Sequence, residues 1–342
     1  MSDQIRILAG TYTDQSSSKG IYLYSFNQIN ADSKEISTVM SGNPSFVALS
    51  DVKNIFYSVN EFNDGRQAVT SYSIKDNSMR RLKEISCDFD GKSGADPCNL
   101  LLFKNYLISS NYTGGSFTLF ELDAKTKDLK KSVQYYSFSK NSHFHCAIES
   151  PDKKYIIITD LGEDKIHRFT ISENKESPLI DHKILYEYKN ESQAGPRHMT
   201  FSNDGKFLYV LCEIGDLLSV FNYNNGEINH IQTIKAYDGE GKGSADIHFS
   251  KDGNYLYTSH RLKKDGISIF SVDKNKGLVE RKGYVETGIH PRNFNITPNV
   301  KYLLCACRDS NVIEIYEIKE NGNLIKINKD IKIEKPVCIK FL

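Results

Sequence analysis

Two positions of a repeated phrase in this sequence carry a histidine, glutamates and arginines. These residue types are the ones best suited to acid–base and anion-binding chemistry. The first position holds His145 in one copy of the phrase. The second position lies 16 residues further on, as from Arg197 to Glu213, and is charged in four copies: Glu61, Glu213, Arg261 and Arg308. A histidine near a carboxylate can move protons, and arginine forks bind phosphate or carboxylate groups. The pattern predicts an acid–base site for a small anionic substrate.

The repeated phrase consists of two short strands joined by a tight turn. Its clearest copy runs from Gly195 to Glu213 and contains the turn Asp204-Gly205, which is typical of a hairpin and predicts a second strand over residues 207–212. Six copies align on the first position with steps of 53, 47, 52, 48 and 47 residues: Ser45, Cys98, His145, Arg197, Ala245 and Arg292. A period of roughly 40–50 residues with four short strands per unit indicates propeller blades.

A seventh copy begins near the C-terminus, at residues 335–341, and lacks its remaining strands. The N-terminal segments 5–11 and 20–26 have the composition of strands and would complete it. Sharing one blade between the two termini closes the ring and leaves no lone terminal strand. We therefore predict an all-β fold, a seven-bladed β-propeller of four-stranded blades, as a single domain that spans residues 1–342.

First strands of propeller blades line the central channel, so the first positions are expected to form a ring that also contains Val337. At the ends of the second strands, the second copy offers Asn111 and Tyr112, and the third offers Leu161 beside Asp160. Charged residues at such positions need partners or water. They either form a site, or they form ion pairs that tie the blades together without catalysis.

Composition argues against several functional classes. The 342 residues carry 44 basic and 43 acidic side chains, and this net charge of +1 gives no reason to expect nucleic acid or membrane as a partner. Residues 1–6 are polar and no long apolar run follows, so we expect no signal peptide. Seven scattered cysteines favour reduced thiols and a cytoplasmic location. We expect a monomer or a weak homodimer.

Two glycine-containing loops, 88–96 and 237–243, each lead into a first strand and would lie at the rim of one face. A flexible connector is the simpler interpretation of both loops. The glycine spacing of 237–243 does not match a phosphate-binding loop. The histidines are too spread along the chain to suggest three convergent metal ligands, so we expect neither a metal nor a cofactor.

Several short motifs occur in one order along nearly the whole chain: Gly-Thr-Tyr-Thr at 10–13, Asn-Pro-Ser-Phe at 43–46, His-Phe-His at 143–145, Gly-Pro-Arg-His at 195–198 and His-Pro-Arg at 290–292. With them the sequence resembles the 6-phosphogluconolactonase family of seven-bladed propellers, which is related to carboxymuconate cyclases. The resemblance implies acid–base and anion-binding roles for His145, Arg197, Glu213 and Arg261. One departure is Leu262, which follows Arg261 where the family usually has glycine.

We therefore expect a metal-independent lactonase that opens 6-phosphoglucono-lactone to 6-phosphogluconate in the pentose phosphate pathway. His145 and Glu213 would supply acid–base catalysis, with either one as the base, and Arg197 and Arg261 would stabilise the oxyanion. Further residues expected to bind the substrate are Arg292, Arg308, Glu61, Asn111, Tyr112 and His198. The alternatives are a lactonase or cyclase for another anionic lactone, such as a muconolactone, and a non-catalytic scaffold propeller.

Overall fold

The computed structural model describes residues 3–189 and 193–342, and its regular structure is almost entirely β-strand. These ranges also contain one short 3₁₀ turn, Arg308–Ser310, and within them no helix is long and apolar enough to span a bilayer. In chain order the strands are β1 (Gln4–Thr11), β2 (Gly20–Asn27), β3 (Ser33–Met40), β4 (Val47–Leu49), β5 (Ile55–Asn60), β6 (Ala68–Lys75), β7 (Ser78–Ser86), β8 (Pro97–Phe103), β9 (Tyr106–Asn111), β10 (Ser116–Leu122), β11 (Leu129–Ser137), β12 (Phe144–Glu149), β13 (Tyr155–Asp160), β14 (Lys165–Ile171), β15 (Leu179–Glu187), β16 (Pro196–Phe201), β17 (Phe207–Cys212), β18 (Leu217–Asn224), β19 (Glu227–Lys235), β20 (Ser244–Phe249), β21 (Tyr255–His260), β22 (Gly266–Val272), β23 (Val279–Glu286), β24 (Pro291–Ile296), β25 (Tyr302–Cys307), β26 (Val312–Ile318), β27 (Leu324–Lys332) and β28 (Pro336–Phe341).

The strands form seven antiparallel sheets of four strands each, the blades of a propeller. Blades 1 to 6 each contain four consecutive strands: β4–β7, β8–β11, β12–β15, β16–β19, β20–β23 and β24–β27. Blade 7 has the order β28-β1-β2-β3, because the C-terminal strand pairs with the N-terminal one, as at Ile7 and Phe341. The predicted fold is confirmed, including the closure of the ring by strands from both termini.

The hydrophobic core lies between neighbouring blades. Phe117 of blade 2 meets Phe144 and Phe169 of blade 3 edge to face, with ring centroids 6.0 and 5.1 Å apart. The second strand of a blade is buried over most of its length, as in β17, whereas the fourth strand is largely exposed, as in β7. Each blade is therefore held by its two neighbours, and the geometry at the centre depends on a closed ring.

A β-bulge interrupts the pairing between first and second strands at the first position of the phrase. In blade 3 the register shifts between Phe144 and Cys146, so that His145 is the extra residue. Equivalent shifts involve the corresponding residues of five other blades: Cys98, Arg197, Ala245, Arg292 and Val337. A bulged residue escapes the strict alternation of a strand, and its side chain is re-aimed. We call the seven first positions, including Ser45, the inner ring.

A repeated backbone hydrogen bond aligns the residues that follow the second strands. Glu213 donates its N–H to the carbonyl of Gly195 at 2.7 Å, and Arg261 donates to Gly243 at 3.0 Å. The same bond occurs in all seven blades, always to the residue two positions before the inner ring. It defines a second ring, which we call the rim ring: Tyr12, Glu61, Tyr112, Leu161, Glu213, Arg261 and Arg308.

Candidate active site

Glu213 links two arginines from neighbouring blades. Its carboxylate lies 2.7 Å from Nε of Arg197 in blade 4 and accepts a 2.7 Å hydrogen bond from Nη2 of Arg261 in blade 5. The contact with Arg197 is an ion pair, because that Nε–H is not aligned for a hydrogen bond. Both guanidinium groups are buried, whereas Glu213 keeps 18% of its side chain exposed. The carboxylate therefore lies on the accessible side of a buried cationic pair.

Glu61 of blade 1 organises the other half of the site. It accepts a 2.8 Å hydrogen bond from the Tyr12 hydroxyl on Oε1 and a hydrogen bond from Ser45 on Oε2. Nη2 of Arg292 lies 3.8 Å from the same Oε2, and the Arg292 guanidinium stands 5.4 Å from the centroid of the Tyr12 ring. Residues of blades 1, 6 and 7 thus meet around one carboxylate.

The charges of these two clusters favour an anion. Burial alone would raise the pKa of Glu213, but Arg261, Arg197 and Arg292 outweigh it and hold that pKa below its ordinary value. Burial lowers the pKa of Arg261 to about 10 in spite of Glu213, so the guanidinium stays charged at neutral pH. Three guanidinium cations therefore face two carboxylates, which leaves one net positive charge.

His145 is a neutral imidazole among these charges. Burial lowers the pKa of His145 well below its ordinary value, and Arg197, His198 and Arg292 lower it further. Its Nδ1 is buried and has no hydrogen-bond partner among the described residues. A neutral imidazole has a lone pair on one ring nitrogen and can accept a proton there. His145 is thus equipped to act as a base without first losing a proton.

Tyr112 packs beside His145 and is itself held in place. The two rings meet edge to face with centroids 5.9 Å apart, and Tyr112 stacks on His143 at 4.5 Å. Nδ1 of His143 lies 2.8 Å from the carbonyl of Tyr112, which can only accept, so this nitrogen carries a proton. The stack gives the His145 ring a fixed wall in blade 2.

The described residues favour neither a cysteine nucleophile nor a metal ion at this site. Burial, together with Glu61, raises the pKa of the Cys98 thiol, and the neighbouring arginines do not offset this. A buried thiol that stays protonated is a poor nucleophile. Across 3–189 and 193–342, no group of three histidine, cysteine, aspartate or glutamate side chains is arranged to hold a metal ion.

Loop 237–243 contacts the candidate site, because its last residue, Gly243, holds Arg261. The Gly243 carbonyl accepts hydrogen bonds from both the backbone N–H and Nε of Arg261, each at 3.0 Å. A Cβ on Gly243 would lie only 2.6 Å from the Arg261 carbonyl oxygen, a contact that glycine alone avoids. Nη1 of Arg261 lies 3.2 Å from Nε2 of His290. With Glu213 on Nη2, all three guanidinium nitrogens have a partner.

Loop 88–96 lies at the same end of the molecule. The carbonyl of Asp96 accepts the rim-ring hydrogen bond from Tyr112 at 2.8 Å. Asp96 also lines an open cavity of about 560 Å³ that adjoins the site. The other charged residues of its lining are Asp14, Glu61, Asp64, Arg308, Asp309 and Lys335, and Tyr12 lines it as well. Arg308 and Lys335 share one carboxylate there, that of Asp309. The lining as a whole holds more carboxylates than cations, because Asp14, Glu61, Asp64 and Asp96 also border the cavity.

Most of the candidate site residues meet at the two rings, and three have other principal contacts. Asn111 directs its amide to Ser116 and Thr118 inside blade 2, and its neighbour Tyr112 occupies the rim position. His198 bonds to Asp246 of blade 5 through Nδ1 at 2.8 Å. Arg308 makes two 2.9 Å hydrogen bonds to Asp309. The candidate residues that belong to the two rings are His145, Arg197, Arg261, Arg292, Glu61, Glu213, Tyr112 and, with its side chain turned to Asp309, Arg308.

Tyr12 is the site residue that the sequence pattern did not single out. It occupies the rim ring in blade 7, whose first strand is C-terminal and whose second strand is N-terminal, so the interval of 16 residues does not apply to it. The available signal was its place directly after the first N-terminal strand, where the other blades carry Glu61 or Glu213. His290 and Gly243, which hold Arg261, were also not assigned a role.

A closed ring of seven four-stranded blades with arginines, glutamates and one neutral histidine at its centre defines the class of protein. The chain belongs to the lactonase family of seven-bladed β-propellers, whose family model matches residues 6–341. The resemblance found in the sequence is thereby confirmed at the level of the family.

Individual relatives agree with this assignment. A 6-phosphogluconolactonase from Formosa agariphila is 31% identical, with 96% of each chain covered. Among solved structures, a candidate 6-phosphogluconolactonase from Bacteroides uniformis matches with a TM-score of 0.94 and 39% identity, with 100% of both chains covered. A similar candidate from Bacteroides fragilis has a TM-score of 0.90 and 38% identity, with 100% of this chain and 98% of the other covered.

Proposed function

We propose that this protein is a lactonase that hydrolyses 6-phosphoglucono-lactone to 6-phosphogluconate. The observation that carries the proposal is the net positive cluster around a neutral, buried histidine, because it combines a proton acceptor with fixed cations. The choice of substrate is supported by the relatives that bear the name 6-phosphogluconolactonase. The reaction would belong to the pentose phosphate pathway.

His145 serves as the general base in this proposal. Glu213 is less suited, because two arginines engage its carboxylate oxygens, whereas Nδ1 of His145 has no hydrogen-bond partner among the described residues. His145 takes a proton from the water molecule that attacks the lactone carbonyl carbon. It returns this proton to the ring oxygen as the carbon–oxygen bond of the ring breaks, which gives the open hydroxy acid.

Arg197 and Arg261 stabilise the negative charge that develops on the carbonyl oxygen. Fixed donors of this kind act strongly when a buried site holds them in place before the reaction. Glu213 orients both of them, and loop 237–243 orients Arg261. The proposed steps need no metal ion, since the side chains supply both the base and the stabilising cations.

The phosphate of the substrate lies between Arg292 and Arg308 in this proposal, at the inner end of the cavity beside Glu61 and away from the outer carboxylates of its lining. Arg292 stands at the inner end of that region, and Arg308 and Lys335 line the cavity itself. Arginine and lysine are the side chains that bind phosphate most often. Tyr112 borders the substrate on the blade 2 side, whereas Asn111 and His198 would act on it only through their neighbours.

We also propose a cytoplasmic location and a monomer or weak homodimer. All seven cysteines are buried and none forms a disulfide, which fits a reducing compartment. The site is built from residues of one chain, so a second copy is not required for it.

Stopped-flow hydrolysis of freshly generated 6-phosphoglucono-lactone tests the substrate. The comparison substrate is the non-phosphorylated gluconolactone, and the spontaneous rate is subtracted from both. We expect acceleration of the phosphorylated lactone alone, and an Arg308→Gln variant should raise its KM. Equal acceleration of both lactones would refute the phosphate site, and acceleration of neither would refute the proposed substrate. A muconolactone in the same panel tests the alternative activity.

A further inference from the structure

A buried carboxylate beside the site connects the first strands of three blades. Asp246, the residue after the inner-ring Ala245, is almost fully buried. Both of its oxygens accept several hydrogen bonds. Oδ1 accepts from His198 Nδ1 at 2.8 Å and Ile247 N at 3.0 Å, and Oδ2 accepts from His248 Nε2 at 2.9 Å, Asn293 Nδ2 at 2.5 Å and Phe294 N at 3.3 Å.

These contacts determine the charge of Asp246 and the tautomer of His198. Burial alone would raise the pKa of Asp246, but His248 and His198 hold it well below the ordinary value, so the group is a carboxylate. Burial and Arg197 lower the pKa of His198 to about 4, so this imidazole is neutral at physiological pH. Because a carboxylate only accepts, the proton of His198 is on Nδ1 and the lone pair is on Nε2.

His198 lies between Asp246 and His145. Its blade, blade 4, is flanked by blade 3, which carries His145, and by blade 5, which carries Asp246. The His198 ring therefore has contacts with both neighbouring blades, with Asp246 on one and with His145 on the other. The imidazoles of His145 and His198 meet edge to face, with centroids 5.2 Å apart and planes at 68°.

We propose that Asp246 and His198 form a positioning pair that orients His145 and stabilises its protonated form during turnover. This inference rests on the proposed function, in which His145 accepts a proton from water. It adds two residues to that reaction that touch neither the substrate nor the reacting atoms. Asp246 fixes the His198 ring by a hydrogen bond, the His198 ring packs against His145, and the negative charge that favours a proton on His145 is that of the Asp246 carboxylate.

In this proposal the negative charge of Asp246 offsets the repulsion that a protonated His145 meets from the surrounding arginines. The groups that act on His145 from the surrounding blades are Tyr112, Arg197, His198, Arg261 and Arg292. The arginines oppose a positive charge on His145, so an imidazolium formed in the reaction needs compensation. The groups that face Asp246 are His198 and His248, with the buried thiols Cys146, Cys305 and Cys338 nearby.

A purely structural role is the competing explanation, because Asp246 also ties blades together. The first strands make other such ties. Asn295 of blade 6, for example, donates Nδ2 to the carbonyl of Ile339 in blade 7 at 3.2 Å. Asn295 is two residues from Asn293, a partner of Asp246, but belongs to neither ring. An Asn295→Ala variant is therefore a matched control for the loss of one inter-blade hydrogen bond.

The test compares Asp246→Asn with Asn295→Ala by pH–rate profiles with the proposed lactone. For Asp246→Asn we expect kcat to fall roughly tenfold or more, as when the aspartate of a His–Asp pair becomes asparagine, while KM changes less than about twofold. The acidic limb of the profile should move to lower pH, because loss of the negative charge lowers the pKa of His145. Asn295→Ala should lower Tm slightly and leave kcat and the limb unchanged.

An unaltered kcat and acidic limb in Asp246→Asn would overturn the proposal, as would an equal kcat loss in Asn295→Ala. NMR shifts of the imidazole nitrogens at neutral pH give a readout without any substrate. We expect Asp246→Asn to change the tautomer populations of both His198 and His145, and unchanged His145 shifts would also refute the pair. This readout separates failure of the pair from failure of the proposed lactonase reaction. A His198→Asn variant repeats the test if Asp246→Asn does not fold.

Discussion

Glu213 is the carboxylate on which both buried arginines of the site depend. Replacement by glutamine keeps the shape of the side chain but leaves Arg197 and Arg261 without their counter-ion. Removing one partner of a buried ion pair costs about 3–5 kcal/mol. We expect Glu213→Gln to lower the free energy of unfolding by about 3 kcal/mol near neutral pH, measured by urea denaturation.

The pH dependence of that loss follows from the direction of the pKa shift. The pKa of Glu213 is lower in the folded protein than its ordinary value, so its contribution to stability is fully present above the unfolded pKa. It is lost as the pH falls through the folded pKa. The stability difference between wild type and Glu213→Gln should therefore shrink at acidic pH. A difference that is constant across this range would contradict the ion-pair account.

At the residue scale, the sequence predicted which residues lie together in the candidate site better than it predicted the role of each one. Position in the repeat brought out His145, Arg197, Glu213, Arg261 and Arg292, because a charged residue is conspicuous where other copies have Ala or Val. Our proposal of His145 rather than Glu213 as the base rests on which of the two side chains the arginines engage. That is a matter of distances within the folded ring, which no spacing along the chain contains.

Loop 237–243 is the element whose sequence constrains the site most directly. Gly243→Ala would place a Cβ 2.6 Å from the carbonyl oxygen of Arg261, so the loop or Arg261 must shift. We expect kcat/KM to fall about tenfold, since catalytic groups tolerate little displacement. Gly283→Ala is the matched control, because its Cβ would meet only Ile269 at 3.7 Å. Lactonase assays with both variants decide this, and full activity of Gly243→Ala would contradict the role of the loop.

At the level of secondary structure, the pairs of strands could be predicted from the sequence, but the residues at which some strands end could not. The second strand 207–212 was predicted with its observed bounds, because an Asp-Gly turn and an apolar run fix it. Asn111 and Tyr112 remained equivalent candidates, since a strand that ends one residue earlier or later exchanges them. The backbone bond from Tyr112 to Asp96 settles the rim position in favour of Tyr112. The bulges at the inner ring carry no comparable signal in the sequence.

For the whole molecule, closure of the ring depends on β28. Its residues Val337, Cys338 and Ile339 are buried, and it supplies the inner-ring position of blade 7. Deleting residues 335–342 should prevent cooperative folding, because blade 7 loses its first strand and blades 6 and 1 lose a neighbour. Deleting Leu342 alone, which follows β28, is the control. Circular dichroism and thermal unfolding provide the measurement, and a stable, cooperatively unfolding truncated protein would contradict this dependence.

The reactivity of the thiols reports on the same closure. All seven cysteines are buried outside disulfides, and they lie in or next to every blade except blade 5. We expect none to react with a thiol reagent in the native protein and all seven to react in denaturant. Rapid labelling of Cys338 under native conditions would show that blade 7 opens readily.

The ring as a whole was predictable because a period of about 50 residues repeats through the chain. The repeat does not predict the rim-ring residue of blade 7, which is divided between the two termini. Its two halves lie at opposite ends of the sequence, so the rim-ring tyrosine, Tyr12, has no neighbour from which the interval can be counted. Contacts such as Tyr12 with Glu61, or Asp246 with His198, join blades rather than strands of one blade, and a repeat describes only what one blade contains.

Hydrolysis of 6-phosphoglucono-lactone by wild type and His145→Ala is the most direct test of the central claim that a neutral histidine in this ring is the base. We predict that wild type accelerates the reaction over the spontaneous rate. The variant should keep the wild-type Tm and lose about a hundredfold or more in kcat, the usual contribution of a positioned base. A His145→Ala protein with unchanged lactonase activity would contradict the account.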